Sequence, residues 1–294
     1  MPDLPNKPAL LMDGATGTEL MRRGFELTKP LWSARAILDA PDLIEQIHRE
    51  YLEAGAEAII TNSFRTHERS LAKAGLGDRA EELTAQAVAI AEQARQKINP
   101  DALIFGSVAP LEDCYHPESV PSEEACHREH GQIMRHLMDA GVDYLIIETM
   151  NTLREASAAA EEAEQCMPCR WMMSCCTRSI GPPGVLLSGE PLVDLLPQLQ
   201  NAAAVGVNCV AAPQVESQVR LLRQLLPETI RIMAYANVSW CNETGDWVDS
   251  DAKEPEKFAD HAVKWIEAGA GIIGGCCGTT PDTIRAINTR LPQA

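Results

Sequence analysis

Three cysteines fall where two apolar runs of the chain end: Cys209 in "VGVNCVA" (205–211), and the adjacent pair Cys276 and Cys277 in "AGIIGGCC" (270–277). Three thiolates with one open position are the pattern of a catalytic zinc site, because a closed structural site uses four protein ligands. The Gly274–Gly275 pair is expected to let the backbone turn so that both following thiols face inward. The alternative is that these small side chains only fill a core. Two other groupings compete with this one. In "CMPCRWMMSCC", Cys166 and Cys169 have a zinc-like and redox-like spacing. They precede a strand candidate, however, whereas Cys175 and Cys176 end it, and a strand's length of roughly 17–20 Å keeps the pairs apart. Filler is the reading for this group, with Cys176 a candidate neighbour of the site. In "ACHREHG", Cys126, His127 and His130 have charged neighbours, which predicts an exposed helical face without a metal role.

What could bring Cys209 to Cys276 and Cys277 is a repeating order of elements. Short apolar runs occupy 9–15, 56–62, 102–109, 143–149, 170–176, 205–211, 230–238 and 270–277. Most are continuous rather than alternating, as parallel strands covered on both faces read. Amphipathic stretches lie between them, as in "PDLIEQIHREYLEAG", where Leu43, Ile44, Ile47, Tyr51 and Leu52 recur at helical spacing behind Pro41. Similar patterns lie near 81–97, 122–140, 152–165, 190–203, 213–225, 254–268 and 281–290. "EAGAEAII", "DAGVDYLII", "AVGVNCV" and "EAGAGIIGG" each read as a helix stopped by glycine and followed at once by a strand. Eight strands alternating with eight helices predict a single (β/α)8 TIM barrel over 1–294; a doubly wound open sheet is the alternative. No Gly- or Ser-rich linker divides the chain.

Barrel active sites sit at the C-terminal ends of the strands. The residues there are Asp13, Asn62, Ser63, Ser107, Glu148, Cys175, Cys176, Asn208, Cys209, Asn237, Cys276 and Cys277. From residue type alone, Asp13 is a turn or cap residue and Glu148 an acid/base candidate. The "GATG" at 14–17 is no phosphate loop, since no lysine follows and Glu19 would repel phosphate. A formal net charge of −17 argues against nucleic-acid partners and suits a cationic small molecule. No apolar stretch approaches a membrane span and the N-terminus lacks a signal-peptide pattern, so a cytoplasmic protein is expected, and a homo-oligomer is compatible with the sequence. In a reducing compartment its ten cysteines are core residues, ligands or reactive groups rather than disulfides.

Six segments together resemble the homocysteine S-methyltransferase family: "LLMDGATGTEL" (10–20), "LWSAR" (31–35), "IHREYLEAGAEAIITNSF" (47–64), "DYLIIET" (143–149), "GVNC" (206–209) and "GGCCGTTP" (274–281). They span nearly the whole chain, and the ordered pair "GVNC" and "GGCCG" is the most specific. The resemblance implies a zinc-containing barrel in which Cys209, Cys276 and Cys277 hold Zn²⁺ and homocysteine brings its thiol to the open position. A free thiol, with a pKa of about 8.5, is little ionised at neutral pH, and zinc removes its proton. Asp13 and Glu148 are then carboxylates for the substrate ammonium, with Gly14, Asn62 and Ser63 completing the amino-acid subsite.

The methyl donor must carry positive charge on the atom that loses the methyl, and aromatic faces hold such cations. Trp32, Phe64 and Tyr235, with Asn237, are the candidate donor pocket, and Trp240 and Trp247 a candidate lid. "LWSA" looks most like the branch that uses S-methylmethionine or S-adenosylmethionine. The betaine-using branch carries an aromatic residue after the strand-4 glutamate, where this chain has Thr149. A betaine-type donor, or a homocysteine-binding module that serves a separate methyl-donor protein, are the alternatives.

Overall fold

The computed structural model describes residues 3–241 and 247–291. Its strands are β1 (Leu10–Leu11), β2 (Ala58–Ile60), β3 (Leu103–Val108), β4 (Tyr144–Met150), β5 (Trp171–Cys175), β6 (Ala204–Ala211), β7 (Arg231–Asn237), β8 (Ser239–Cys241), β9 (Trp247–Asp249) and β10 (Ala270–Gly275). Eight of them pair in parallel in the order β1-β10-β7-β6-β5-β4-β3-β2. The parallel bridge between Met12 and Ala58 joins the two ends, and the sheet becomes the barrel expected from the sequence. β8 and β9 form a separate antiparallel hairpin beyond β7, in a stretch that lacks a strand-like apolar run. The lid expected from Trp240 and Trp247 concerns side chains outside the described residues.

The barrel interior follows from the two-residue period of its strands. Leu10 and Met12, Leu103 and Phe105, Tyr144 and Ile146, and Met233 and Tyr235 form one buried cluster inside the barrel with Met172, Ala204 and Ile272. The residues between them, including Leu11, Ile104, Leu145, Ile147, Ile232 and Ile273, face outward into a second cluster shared with the helices. Both faces are apolar, which is why the runs read as continuous. Carrying the same period two or four residues further along the strands reaches Asn62, Ser107, Glu148, Asn208, Asn237 and Cys276, so the polar chemistry collects at one mouth.

The helices are α1 (Thr16–Arg22), α2 (Arg35–Asp39), α3 (Pro41–Glu53), α4 (Glu68–Ala72), α5 (Ala80–Ile98), α6 (Glu123–Ala140), α7 (Leu153–Cys166), α8 (Ala212–Leu225), α9 (Pro255–Glu267) and α10 (Pro281–Arg290). α3 starts with Pro41 in its first turn, and α6 ends at Gly141 with φ 90°. Thr280 and Thr283 cap α10 reciprocally. Two expectations are corrected. The helix expected over 190–203 is a 3-10 helix, Leu192–Leu199, because Pro197 inside it lacks the N–H that an α-helical ladder needs. Gly206 is not a helix stop but lies within β6, where a Cβ would sit 2.1 Å from the Met233 carbonyl oxygen. Its missing side chain lets β6 and β7 close up beneath the cysteines.

Candidate metal centre

Cys209 lies near the end of β6, and Cys276 and Cys277 directly follow β10; both strands pair with β7, so one strand separates them. Cys209 Sγ is 3.0 Å from Cys276 Sγ, and the three sulfurs all lie within 4.8 Å of one another. A tetrahedral site with metal–sulfur bonds of ~2.3 Å has sulfur edges of roughly 3.8 Å. The described residues contain this one group of three that could hold a metal ion. Soft sulfur donors converging at that spacing fit a thiolate-preferring ion such as Zn²⁺.

Backbone contacts hold the two ligand segments together. Asn237 Nδ2 donates to the Cys209 carbonyl (3.1 Å), and its Oδ1 accepts from the Cys277 N–H (3.0 Å). The Cys276 N–H bonds the Ala236 carbonyl at 2.7 Å, and the Val238 N–H bonds the Cys277 carbonyl at 3.1 Å. The Gly274–Gly275 pair acts differently from expectation, since neither residue has a positive φ. A Cβ on Gly274 would lie 2.9 Å from the Asp13 carbonyl oxygen, and one on Gly275 2.3 Å from Thr279 Oγ1. The pair is needed for close approach to β1 and the α10 entrance rather than for the turn.

The cluster shares its protons unevenly. Cys277 is held well below the ordinary thiol range by hydrogen bonds from Cys209 and Cys276, and Cys209 and Cys276 are pushed up in turn. A preformed thiolate is the form that binds metal.

Above the sulfurs opens a cavity of about 640 Å³, lined by residues that follow several strands, among them Gly14, Trp32, Asn62, Phe64, Glu148, Thr149, Cys209, Tyr235, Cys276 and Cys277. That volume lies in the range of sites for small organic ligands. Glu148 accepts a hydrogen bond from Ser107 Oγ (2.5 Å), and burial pushes its carboxyl up to about 7. Asp13 does not line the cavity. Its Oδ2 accepts from the Ile60 N–H (3.0 Å), its Oδ1 is buried without a partner, and burial raises its pKa well above the usual range. Asn62 lines the cavity and donates to the Ser33 carbonyl (2.9 Å). Ser63, in contrast, turns its hydroxyl to the Ser107 carbonyl (2.8 Å) and does not line the cavity.

Of the aromatic group, Trp32, Phe64 and Tyr235 line the cavity. Asn237 does not, because its carboxamide lies between the two ligand segments. Phe64 already carries the Arg65 guanidinium over its ring, 5.1 Å from the centroid.

Sequence reasoning missed the β3 loop, which supplies Leu111, Glu112, Asp113, Cys114 and Tyr115 to the cavity wall. The Lys29–Asp113 ion pair (2.7 Å) ties this wall to the loop between α1 and α2. Buried Glu155 anchors it from below, accepting from the Leu111 N–H (2.7 Å) and pairing with His130 (3.1 Å). The exposed face expected for Cys126, His127 and His130 is therefore corrected. Cys126 and His130 are fully buried, and His127 is half-buried against Glu162 (3.0 Å). Cys166 and Cys169 lie before β5, and Cys175 and Cys176 are buried at its far end. Cys176 Sγ contacts the Cys209 carbonyl at 3.8 Å.

Residues 10–291 match the family model described as homocysteine S-methyltransferase. The chain is 33% identical to a homocysteine S-methyltransferase of Escherichia coli (strain K12), over 98% of this chain and 96% of that one. It is 32% identical to a selenocysteine methyltransferase of Astragalus bisulcatus, over 95% and 91% of the two chains. Among solved structures, the metallated form of the homocysteine methyltransferase MmuM from Escherichia coli superposes with a TM-score of 0.84 at 31% identity, covering 97% of each chain. Among the described residues, no helix is long and apolar enough to cross a membrane.

Proposed function

The chain belongs to the homocysteine S-methyltransferase family, and from that premise we propose that it transfers a methyl group from a sulfonium donor, S-methylmethionine or S-adenosylmethionine, to the thiol of homocysteine, forming methionine. The observation that carries this reading is the convergence of three cysteine sulfurs within 4.8 Å at the base of a cavity large enough for amino-acid substrates. The proposal assigns residues 1–294 to one homocysteine-binding barrel, with Cys209, Cys276 and Cys277 as the ligands of Zn²⁺. When bound, zinc supplies the positive charge that stabilises a substrate thiolate at neutral pH.

The chain's own residues do the rest. Glu148, at the cavity wall, has its carboxyl pushed up to about 7 by burial. An ammonium group brought beside it favours the carboxylate, and Ser107 Oγ then holds the charged oxygen in place. Asp13, which does not itself line the cavity, is assigned as a second acceptor on the strength of its unpartnered carboxylate oxygen. Gly14 lines the cavity and is assigned to the amino-acid end, and its missing side chain lets the chain pack against Thr279 and Tyr51, which a Cβ would meet at 2.7 and 2.8 Å. Trp32 and Tyr235 give the donor an aromatic surroundings in which a sulfonium is favoured over water. Displacement at the methyl carbon requires donor and acceptor sulfurs in line, so holding the amino-acid end fixes the direction of attack.

The test is methionine formation by reduced, zinc-loaded protein from homocysteine and S-methylmethionine. Turnover that disappears with Cys277→Ser supports the reading. A protein that binds zinc and homocysteine yet turns over neither sulfonium points to a betaine-type donor or a partner protein instead. Zinc content unchanged by Cys209→Ser and Cys276→Ser would remove the ligand assignment.

A further inference from the structure

We propose that Asn208 is a positioning residue for the metal centre, whose carboxamide aims the Cys209 sulfur and, by donating an N–H to it, sets how strongly the three-sulfur site holds its ion. The inference rests on the metal-site reading above. In "GVNC" the asparagine before the cysteine is fully buried and all its polar side-chain atoms are engaged.

The orientation of the amide is fixed by chemistry. Asn208 Oδ1 accepts from the Thr149 backbone N–H (2.9 Å), a group that can only donate, and from Ser174 Oγ (2.8 Å). The nitrogen therefore faces the other way, where it donates to Thr149 Oγ1 (2.8 Å) and approaches Cys209 Sγ at 3.4 Å. One side chain thus joins the end of β4, the end of β5 and a ligand sulfur.

This bracing answers a local strain. Thr149 has φ 63° and Cys209 φ 56°, left-handed conformations that L-residues rarely adopt and that are most unfavourable for a β-branched residue. Such conformations persist where surrounding contacts over-determine them. Asn208 touches both strained residues, and Thr149 Oγ1 also lies 3.8 Å from Cys209 Sγ. Three thiolates on one divalent ion carry an excess negative charge. An N–H directed at one of them offsets part of that charge and restricts where the sulfur can sit, as outer-shell donors do at metal sites.

The experiment uses Co²⁺-substituted protein, whose thiolate-to-metal charge-transfer band reports on the sulfur ligands, together with zinc affinity measured by chelator competition. Asn208→Asp keeps the shape and the accepting oxygen but replaces the donor N–H with an oxygen. It is expected to weaken zinc binding by about 10–100-fold and to shift the band. Thr149→Val removes the hydroxyl that accepts from Asn208 and that lies 3.8 Å from Cys209 Sγ, but leaves the Asn208 N–H on the sulfur, so its band shift should be smaller than that of Asn208→Asp. An unshifted band and unchanged affinity in Asn208→Asp overturn the proposal, as do equal shifts in both variants. If Asn208→Asp does not fold, Ser174→Ala, which frees one anchor of Oδ1, should weaken zinc binding in the same direction; unchanged affinity there also overturns it. Cys209→Ser, run in parallel, separates the two readings. If it leaves the band and the affinity unchanged, the metal-site assignment itself fails. If it abolishes them while Asn208→Asp changes nothing, only the role of Asn208 falls.

Discussion

Cys209 Sγ lies 3.0 Å from Cys276 Sγ, closer than the roughly 3.8 Å expected across a tetrahedral thiolate site. An ion bound by both would hold these sulfurs apart, and two thiols this close need only a side-chain shift of about 1 Å to reach the ~2.05 Å of a disulfide bond. Chelator-treated protein exposed to oxidised glutathione is therefore expected to form the Cys209–Cys276 disulfide, two protein thiols being oxidised while glutathione disulfide is reduced to two thiols. Peptide mass mapping should find the crosslink, and zinc uptake should return only after reduction. Zinc-loaded protein should resist the same treatment. Equal oxidation with and without zinc would contradict this.

Glu148 makes a second prediction, concerning stability against pH. Its carboxyl is raised from an ordinary 4.5 to about 7 by burial, so the folded protein binds its proton more tightly than the unfolded chain does. The resulting stabilisation is complete below about pH 4.5 and is lost as pH rises through about 7. At ~1.4 kcal/mol per pKa unit, the loss is on the order of 3 kcal/mol. Glu148→Gln stays neutral and can still accept from Ser107, so it should flatten this part of the slope. Urea denaturation of metal-free wild type and variant at several pH values between about 4.5 and 8 checks it. Parallel slopes would show that Glu148 ionises without penalty. The same variant should lose homocysteine affinity, which separates the residue's cost to the fold from its use in the site.

Gly206 offers a test of the packing beneath the ligands. A Cβ there would meet the Met233 carbonyl oxygen at 2.1 Å, and backbone on a central strand cannot swing aside as a side chain can. Gly206→Ala is expected to destabilise the protein by about 3 kcal/mol or more, at or above the upper end of ordinary overpacking. Thermal or urea denaturation of the metal-free protein measures it. A loss within ~0.5 kcal/mol would mean that β6 and β7 can separate without penalty.

The barrel was legible because its strands are covered on both faces and read as apolar runs, with helical periodicity between them. The three-cysteine cluster was legible for a related reason: strand ends converge in a barrel, and Cys209 and the Cys276–Cys277 pair sit at two ends with one strand between. What the residues did with their polar atoms was less legible. Asn237 and Ser63 look like cavity residues by position, yet each bonds a backbone group from a strand far away in sequence. Burial of His130 depends on Glu155, contributed by the next helix. The wall formed by Leu111–Tyr115 has no periodicity to announce it, since its place is set by the Lys29, Arg65 and Glu155 contacts that hold it. Gly206 reads as a helix stop in the sequence because glycine permits both turns and close approach, and only the neighbouring strand distinguishes them.

Donor recognition gives the last prediction. Trp32, Phe64 and Tyr235 line one cavity, but they are not equivalent. Phe64 has Arg65 over its ring, and a face already bearing one cation is a poor host for another. Tyr235 is fully buried among the interior residues. Trp32 is only half-buried, and its indole lies against α1, where a Cβ on Gly17 would sit 2.9 Å from Nε1. That contact places a large aromatic surface at the cavity wall. Replacing it with Trp32→Ala should remove a cation–π contribution of ~0.5–2 kcal/mol, which corresponds to a rise of about 2- to 30-fold in KM for the sulfonium donor. KM for homocysteine should stay near its wild-type value, since the proposed acceptor site uses Glu148 and Asp13 rather than Trp32. Phe64→Leu should change donor KM less than Trp32→Ala does. Steady-state kinetics with each substrate varied in turn decides the matter: a Trp32→Ala defect shared equally by donor and acceptor would indicate a loosened cavity rather than lost recognition of the sulfonium.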